Sequence, residues 1–363
     1  SVLHPEIINK TIAIISLIFI NLLKPYYLIY IMLEIDGAHS GGQILRTSLS
    51  LSVLTQKPFK IVNIRGKRDN PGLQNQHLTA VNAISKICNA QVKGNTLHSK
   101  ELEFKPSKVI PGNYTFDIGT AGSTILVFQT LLPALLFAKE KSSLKIFGGT
   151  SNPLAPSAFY TKAVFLQFLK LMNIAILVNV EKEGFVPKGG GQILAKIMPC
   201  KKLKPLILID RGKLDKIYVF AISSQSLREK DVAQRLLNGF TSVIEESNLE
   251  TNKQYVASLD PGCFISGIAK YEKTMIGYTT LGKLGVKSED IGKECATNLL
   301  NEINSNCTVD SFTADQLLLY MALAKKGKII SSKVTEHIKS NIEVIEKFLD
   351  VKFKIEGNEI SIN

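Results

Sequence analysis

A strand-like run, a glycine turn and a long apolar run recur in that order along this chain, and the recurrence limits its architecture more than any other feature. LEIDG passes through Gly41-Gly42 into the apolar stretch GGQILRTSLSLSVLT (Gly41–Thr55). YTFDIGTAGS (Tyr114–Ser123) leads into TILVFQTLLPALLFA, and SLKIFGGT (Ser143–Thr150) into a helical pattern from about Ala158 to Met172. Glycine admits the turns, and apolar spacing near 3.6 residues predicts the helices. Alternation of this kind predicts a mixed sheet with helices on one face. GGQILRTSLSL and AGSTILVFQTL share a glycine turn, Ile-Leu and an apolar helix, which reads as an internal repeat of one αβ unit. Chance likeness of two amphipathic helices is the competing explanation.

Further elements fit the same frame. FKIVNIR (Phe59–Arg65) alternates as a strand, and LQNQHLTAVNAISKIC (Leu73–Cys88) has helical spacing. IAILVNVEKEG and GQILAKIMP read as paired strands around VPKGGG (Val186–Gly191). Between about Arg211 and Asn306 the texture changes: a strand, KIYVFAISSQS, precedes two charged amphipathic helices, REKDVAQRLLNGFTSVIEES and SEDIGKECATNLLNEI. The apolar style then returns in SFTADQLLLYMALA (Ser311–Ala324) and in a helix followed by a strand over Val334–Gly357. Residues 211–306 are therefore expected to form a small α/β domain inserted into a larger one made of 34–210 and 307–363. The length of 363 residues suits two or three compact units.

Residues 1–33 stand apart as an apolar N-terminal extension. Thr11–Leu23 is an apolar run of 13 residues, interrupted by Lys24-Pro25, whereas a membrane-spanning helix needs about 20. Met32 directly precedes LEIDG and is read as the natural start, with a membrane anchor and a buried helix as the alternatives. Membrane association is not expected.

The 44 Lys and Arg against 31 Asp and Glu give a net charge of +13, which favours an anionic partner, nucleic acid or a phosphorylated small molecule. A lysine-rich solvated surface gives the same number. Hydrophobic residues at 45% exclude a mainly disordered chain, and 7% aromatics without Trp argue against binding through many stacked rings. Five dispersed cysteines without a C-x-x-C pair argue against a disulfide framework or a cysteine zinc site and suit a reducing interior, hence the cytoplasm.

Three constellations could carry chemistry. The glycine turns before helices offer free N–H groups and partial positive charge to phosphate, although none matches a Walker or dinucleotide pattern. Arg46, Arg65 and Arg68 lie close to these turns, and guanidinium forks fit phosphate oxygens. Gln76 and His77 extend that polar group, unless His77 is a satisfied core residue. His337 in EHIKSN is the third candidate: imidazole attacks phosphorus to give a labile phosphoramidate, while a helix cap or a surface residue is the plainer reading.

The ordered motifs IDGA…GGQILRTSLSLS, NIRGKRDNPGLQNQHLTAV, IGTAGSTILVFQTLLPAL, GGTSNPLAPS, GFVPKGGG, ADQLLLYMALA and HIKSNIEVIEKFL resemble the RNA 3'-terminal phosphate cyclase family from about Glu34 to Phe353. The likeness is weakest between Arg211 and Asn306. It implies an α+β fold, cyclase/enolpyruvyl-transferase-like: a large domain of repeated units, each two helices on a four-stranded sheet, with a smaller inserted α/β domain. It also implies a ligase-type nucleotidyl transfer. A histidine takes AMP from ATP, AMP passes to an RNA 3'-phosphate, and the 2'-hydroxyl closes a 2',3'-cyclic phosphate. By motif, His337 corresponds to the nucleophile. Gln129, Pro156, Phe312, Asp315, Gln316 and Asn341 correspond to the ATP and adenylate site, with Pro156 and Phe312 around the adenine ring. Gln43, Arg46, Arg65, Arg68, Gln76 and His77 correspond to the phosphate and RNA-end cluster. The cofactors implied are ATP and a divalent metal, Mg²⁺ or Mn²⁺; the partner is RNA with a 3'-phosphate end. The resemblance implies no oligomeric state.

Two departures accompany the likeness. The first glycine loop, DGAHSGGQ (Asp36–Gln43), is short and lacks the Glu that holds metal in the family, leaving His39 as a candidate nitrogen ligand. Imidazole suits Mn²⁺ better than Mg²⁺. Glu183 stands where a basic residue is usual, read as a change of surface packing. Retention of His337 favours the enzyme; loss of the loop Glu favours the alternative, a non-catalytic cyclase-like factor in RNA processing or ribosome biogenesis. An enolpyruvyl transferase of related fold would act on small phosphates and does not account for the ordered motifs.

Overall fold

The computed structural model describes residues 32–38, 41–245 and 248–362. The expectations for residues 1–31 and for His39 fall outside them. A first unit runs β1 (Leu33–Asp36), α1 (Gln43–Thr55), β2 (Phe59–Val62), α2 (Asn75–Cys88), β3 (Gln91–Lys93) and β4 (Leu102–Lys105). Its sheet has the order β1-β2-β4-β3, with β1 parallel to β2 and the other pairs antiparallel. The crossover helix α1 imposes the parallel pair, since parallel neighbours need a long connection.

The second unit repeats this plan. It runs β5 (Asn113–Asp117), α3 (Thr124–Leu136), β6 (Ser142–Gly148), α4, β7 (Ile176–Lys182) and β8 (Gly191–Ile197), in the order β5-β6-β8-β7. Here α4 is a composite of Ala158–Tyr160, a π-helical Thr161–Phe165 and Leu166–Leu171. A third unit opens with β9 (Leu206–Leu208) and is then interrupted. The intervening chain forms β10 (Leu214–Ser224), a 3₁₀ turn (Gln225–Lys230), α5 (Val232–Thr241), β11 (Leu249–Val256), β12 (Cys263–Tyr271), β13 (Met275–Leu281) and α6 (Ser288–Asn304), with sheet order β11-β10-β12-β13. The third unit resumes as α7 (Ser311–Leu323), β14 (Gly327–Ile330), α8 (Glu336–Phe348), β15 (Phe353–Glu356) and β16 (Glu359–Ile362). Its order, β15-β16-β14-β9 with β9 parallel to β14, is that of the first two.

The fold is thus α+β, a repeated unit of two helices and a four-stranded sheet with a smaller α/β insertion. The likeness of GGQILRTSLSL to AGSTILVFQTL has a structural basis, because α1 and α3 are the first helices of successive units, and α7 is their counterpart in the third. These helices meet: α1 packs on α3 and α8, α2 on α3, and α7 on α8. One apolar core spans the three units, and a second holds the insertion. Phe59 lies 5.8 Å from Phe104 and 5.9 Å from Phe348 between ring centroids, tying the first unit to the third. Each such buried ring contributes roughly 1.5–3 kcal/mol.

Local chemistry overrides the sequence pattern in several places. The helix expected from Arg228 to Ser247 is split, because Asp231 adopts a left-handed φ of 47° and its Oδ1 accepts the Tyr255 hydroxyl at 3.0 Å. The strand expected through Arg65 stops at Val62, where left-handed Asn63 and Arg65 turn the chain. Glu183 is buried rather than superficial: the Thr150 hydroxyl donates to its Oε2, and burial pushes its pKa up. All five cysteines are free. Among the described residues no helix is long and apolar enough to cross a membrane.

Candidate active site

Helix α1 carries a polar stripe among its apolar residues. Gln43, Arg46, Thr47 and Ser50 follow the i, i+3, i+4, i+7 spacing of a single helical face. That face lines a cleft where the helices of the three units converge, joined by Gln129 of α3, Asp315 and Gln316 of α7 and Asn341 of α8. Asn341 Nδ2 donates to Asp315 Oδ1 at 2.6 Å, and the Thr47 hydroxyl donates to Asn341 Oδ1 at 2.8 Å. Gln129 donates to Gln316 Oε1, Gln316 Nε2 donates to the Phe312 carbonyl at 2.9 Å, and Gln43 Nε2 donates to Ser340 Oγ at 3.4 Å. All three units are stitched together by polar side chains at this one point.

Two opposite charges sit here with little water. Burial raises the Asp315 pKa, offset by the Asn341 hydrogen bond and by electrostatic interaction with His337 and Arg46. Burial lowers the Arg46 pKa to about 10, against the pull of Asp315. Partial desolvation of both is costly, and perturbed groups in a cleft mark a functional site more often than a structural one. His337 is exposed in the first turn of α8, a helix capped by Thr335, whose hydroxyl accepts the Ile338 N–H at 3.2 Å. It stands at the rim, within the electrostatic reach of Asp315.

A second cluster surrounds the start of α1. A Cβ built on Gly42 would lie 2.3 Å from His77 Nε2 and 2.8 Å from Arg46 Nη1, and one on Gly41 would lie 3.1 Å from Arg68 Nη2. Glycine here lets three nitrogen-bearing side chains close on the helix N-terminus, where free N–H groups already attract anions. His77 is buried, and its Nδ1 accepts the Gln74 backbone N–H at 3.3 Å. That bond assigns the remaining proton to Nε2, which faces Gly42. Burial, then Arg46 and Arg65, lower its pKa to about 3, so the ring is a neutral donor at pH 7.

The other candidates are placed differently. Gln76 Oε1 accepts the Ser123 N–H at 2.9 Å, joining α2 to the turn before α3. Arg65 spends its guanidinium on the carbonyls of Asn70 and Gly72, at 2.5 and 3.0 Å, and braces that loop. Pro156 precedes the Ser157 cap of α4 and does not line the cleft. Phe312 is 48% exposed and meets the ring of Tyr278, from β13 of the insertion, edge-on at 5.7 Å.

An RNA 3'-terminal phosphate cyclase family model matches residues 38–355, nearly the whole chain. The chain belongs to the RNA 3'-terminal phosphate cyclase family. Similar proteins named RNA 3'-terminal phosphate cyclase include one from Staphylothermus marinus, 42% identical over 342 residues, covering 90% of this chain and 95% of its own. One from Sulfolobus acidocaldarius is 41% identical over 335 residues, covering 90% and 98%. One from Sulfurisphaera tokodaii is 40% identical over 336 residues, covering 90% and 97%.

For a cyclase-family chain the site contains residues the sequence reading passed over: Thr47, Ser50, Ser340 and Tyr278. The α1 stripe was the available signal for Thr47 and Ser50; Tyr278 carries none, because its contact depends on how the insertion docks. A protein-held divalent ion does not fit the donor set seen here. Among the described residues no three His, Cys, Asp or Glu side chains gather as a metal site, and Asp315 is already bonded to Asn341.

Proposed function

We propose that this chain converts an RNA 3'-terminal phosphate to a 2',3'-cyclic phosphate at the expense of ATP, through a covalent histidine–AMP intermediate. The observation that carries this reading is the adjacency of the two polar clusters. Arg46 belongs to both, beside His77 at the α1 N-terminus and in electrostatic contact with Asp315 in the cleft. A nucleotide phosphate held near His337 and an RNA terminal phosphate held by Arg46, Arg68 and His77 would thus be neighbours.

In the first step, a neutral His337 nitrogen attacks the α-phosphorus of ATP and pyrophosphate leaves. Gln129, Gln316 and Asn341 supply amides that orient the nucleotide, and Phe312 offers an apolar face for the adenine. In the second, a 3'-phosphate oxygen displaces the imidazole and carries AMP away as an anhydride. In the third, the 2'-hydroxyl attacks the 3'-phosphorus, the cyclic diester forms and AMP departs. Charge on the transferring groups is met by Arg46, Arg68, the His77 Nε2–H and the α1 N–H groups; preorganised donors of this sort supply most of such catalysis. A divalent ion would draw its ligands largely from phosphate and water, as Mg²⁺ commonly does, and no step is routed through it. We further propose that 34–210 with 307–363 acts as the catalytic domain, that 211–306 is a separate inserted domain, and that the protein works in the cytoplasm.

Self-adenylylation tests the reading. Incubation with α-phosphate-labelled ATP should label the wild type covalently and leave His337→Ala unlabelled. Label persisting in the variant would place the nucleophile elsewhere, and no label in either would favour the non-catalytic factor.

A further inference from the structure

The inserted sheet ends in a cleft that the reaction above does not use, lined by Arg228, Asp231, Lys253, Gln254 and Tyr255. The Arg228 guanidinium lies 5.5 Å from the Tyr255 ring centroid, forming a flat cationic face at the surface. Asp231 is committed to the Tyr255 hydroxyl and holds that ring in place. Lys253 Nζ donates to the neutral Gln234 Oε1 at 2.9 Å. Four other basic side chains on the insertion are matched by acids: Lys216 with Glu250, Lys270 with Asp215, Lys283 with Glu294 and Arg235 with Glu289. Arg228, Lys230 and Lys253 are exposed and form no ion pair among the described residues. Glu229 is the remaining carboxylate on this turn.

A chain of contacts, partly buried, links the insertion near this cleft to the terminal-phosphate cluster. Gly122 abuts Gln76, its built Cβ 3.0 Å from Gln76 Cβ, and Gly189 abuts Ala121. The next residue back, Lys188, is exposed, and its N–H donates to Asp260 Oδ2 at 2.7 Å. Gly262 and Ser224 exchange bonds of 2.8 and 3.2 Å, and Ser224 opens the 3₁₀ turn that carries Arg228. Four exposed charges near these contacts, Lys188, Arg228, Lys230 and Lys253, are positive, against the two acids Glu229 and Asp231.

We infer that the inserted sheet binds the single-stranded RNA upstream of its 3' end, with Arg228 and Tyr255 stacking a base and Lys253 and Lys230 meeting the backbone. The inference rests on the cyclase reading only for which end enters the cleft. Stacking on an aromatic or guanidinium face beside a basic groove is how sequence-tolerant strand binding is built.

The test uses the full chain with Arg228→Ala/Lys253→Ala, both changes lying at the surface, and a control, Lys139→Ala/Lys141→Ala. Binding of a fluorescent 20-mer RNA with a 3'-hydroxyl is read by anisotropy across salt, so the result does not depend on turnover. Removing one stacking and one backbone contact should weaken binding roughly tenfold and make the log–log salt slope shallower by about 0.7, the value for one single-strand phosphate contact. KM for a 3'-phosphorylated 20-mer should rise in parallel, with a 3'-phosphorylated dinucleotide unaffected. An unchanged 20-mer affinity, or an equal loss in the control, overturns the inference. Failure of the wild type to cyclise either substrate would instead count against the cyclase reading, with the anisotropy result still standing.

Discussion

Buried beneath Gly42, with Nδ1 already accepting a backbone N–H, His77 has no place for a second proton, and its pKa falls to about 3. Its unfolded value is near 6.5. Between pH 6.5 and 3 the unfolded chain therefore holds a proton that the folded chain does not, so stability rises with pH there by about 1.4 kcal/mol per unit and is level above 6.5. Between pH 7 and 5 this one group should remove about 2 kcal/mol from the wild type. His77→Gln should lose that part of the slope, as urea titrations at both pH values would reveal; identical slopes would mean that the ring is not buried neutral. The residue types of the site were legible because Arg, Gln and His interrupt apolar runs. Their roles were less so. Arg65 resembles its neighbours in sequence, yet a φ of 55° and two loop carbonyls commit it to bracing rather than to a ligand.

Each helix start governs a part of the chemistry. Gly42 has φ −76° and ψ −5°, which alanine adopts freely, so Gly42→Ala strains no backbone. Its methyl would nevertheless meet His77 Nε2 and Arg46 Nη1 well inside contact distance. We expect the displaced pair to raise KM for 3'-phosphorylated RNA by roughly tenfold or more, since misplacement by about 1 Å costs that much or beyond. Unfolding free energy should fall by about 1–3 kcal/mol, because the methyl overpacks the buried His77 ring. A KM equal to wild type would show that the α1 start does not hold the terminal phosphate. Long periodic helices such as α7 and α6 were readable to within a residue. Strands such as β11 were not: Glu250, Thr251, Asn252, Lys253 and Gln254 are all exposed, so no alternation marks them. Such an edge strand is specified by pairing with β10, which is set far away in the chain.

At the scale of the whole molecule, three units with one strand order surround a cleft that none of them encloses alone, and the insertion enters the third at its first crossover. The sequence repeat was visible only between the first two units, because β9 and α7 are separated by the insertion. The joint between them is Asp310. It is wholly buried and caps α7 through Thr313 N–H at 2.8 Å. It also accepts the Tyr160 hydroxyl from the second unit and the Gly277 N–H from β13 at 3.2 Å. Burial raises its pKa, and these donated bonds offset the rise. Asp310→Ala would remove a helix cap worth about 1 kcal/mol and take an acceptor from the buried Gly277 N–H at about 1–3 kcal/mol, while the Tyr160 hydroxyl keeps Thr313 Oγ1 at 2.7 Å. A loss of about 2 kcal/mol or more is therefore expected in urea denaturation, with Asp310→Asn intermediate, because one oxygen remains to accept. Phe312 lies two residues beyond, and its edge contact with Tyr278 also depends on how β13 docks. The alanine variant should consequently bind ATP more weakly even where it is folded, while Asp310→Asn recovers part of both losses. A variant within about 1 kcal/mol of wild type would show that the insertion is held by its apolar contacts alone, and that the polar joint does not couple it to the adenine site.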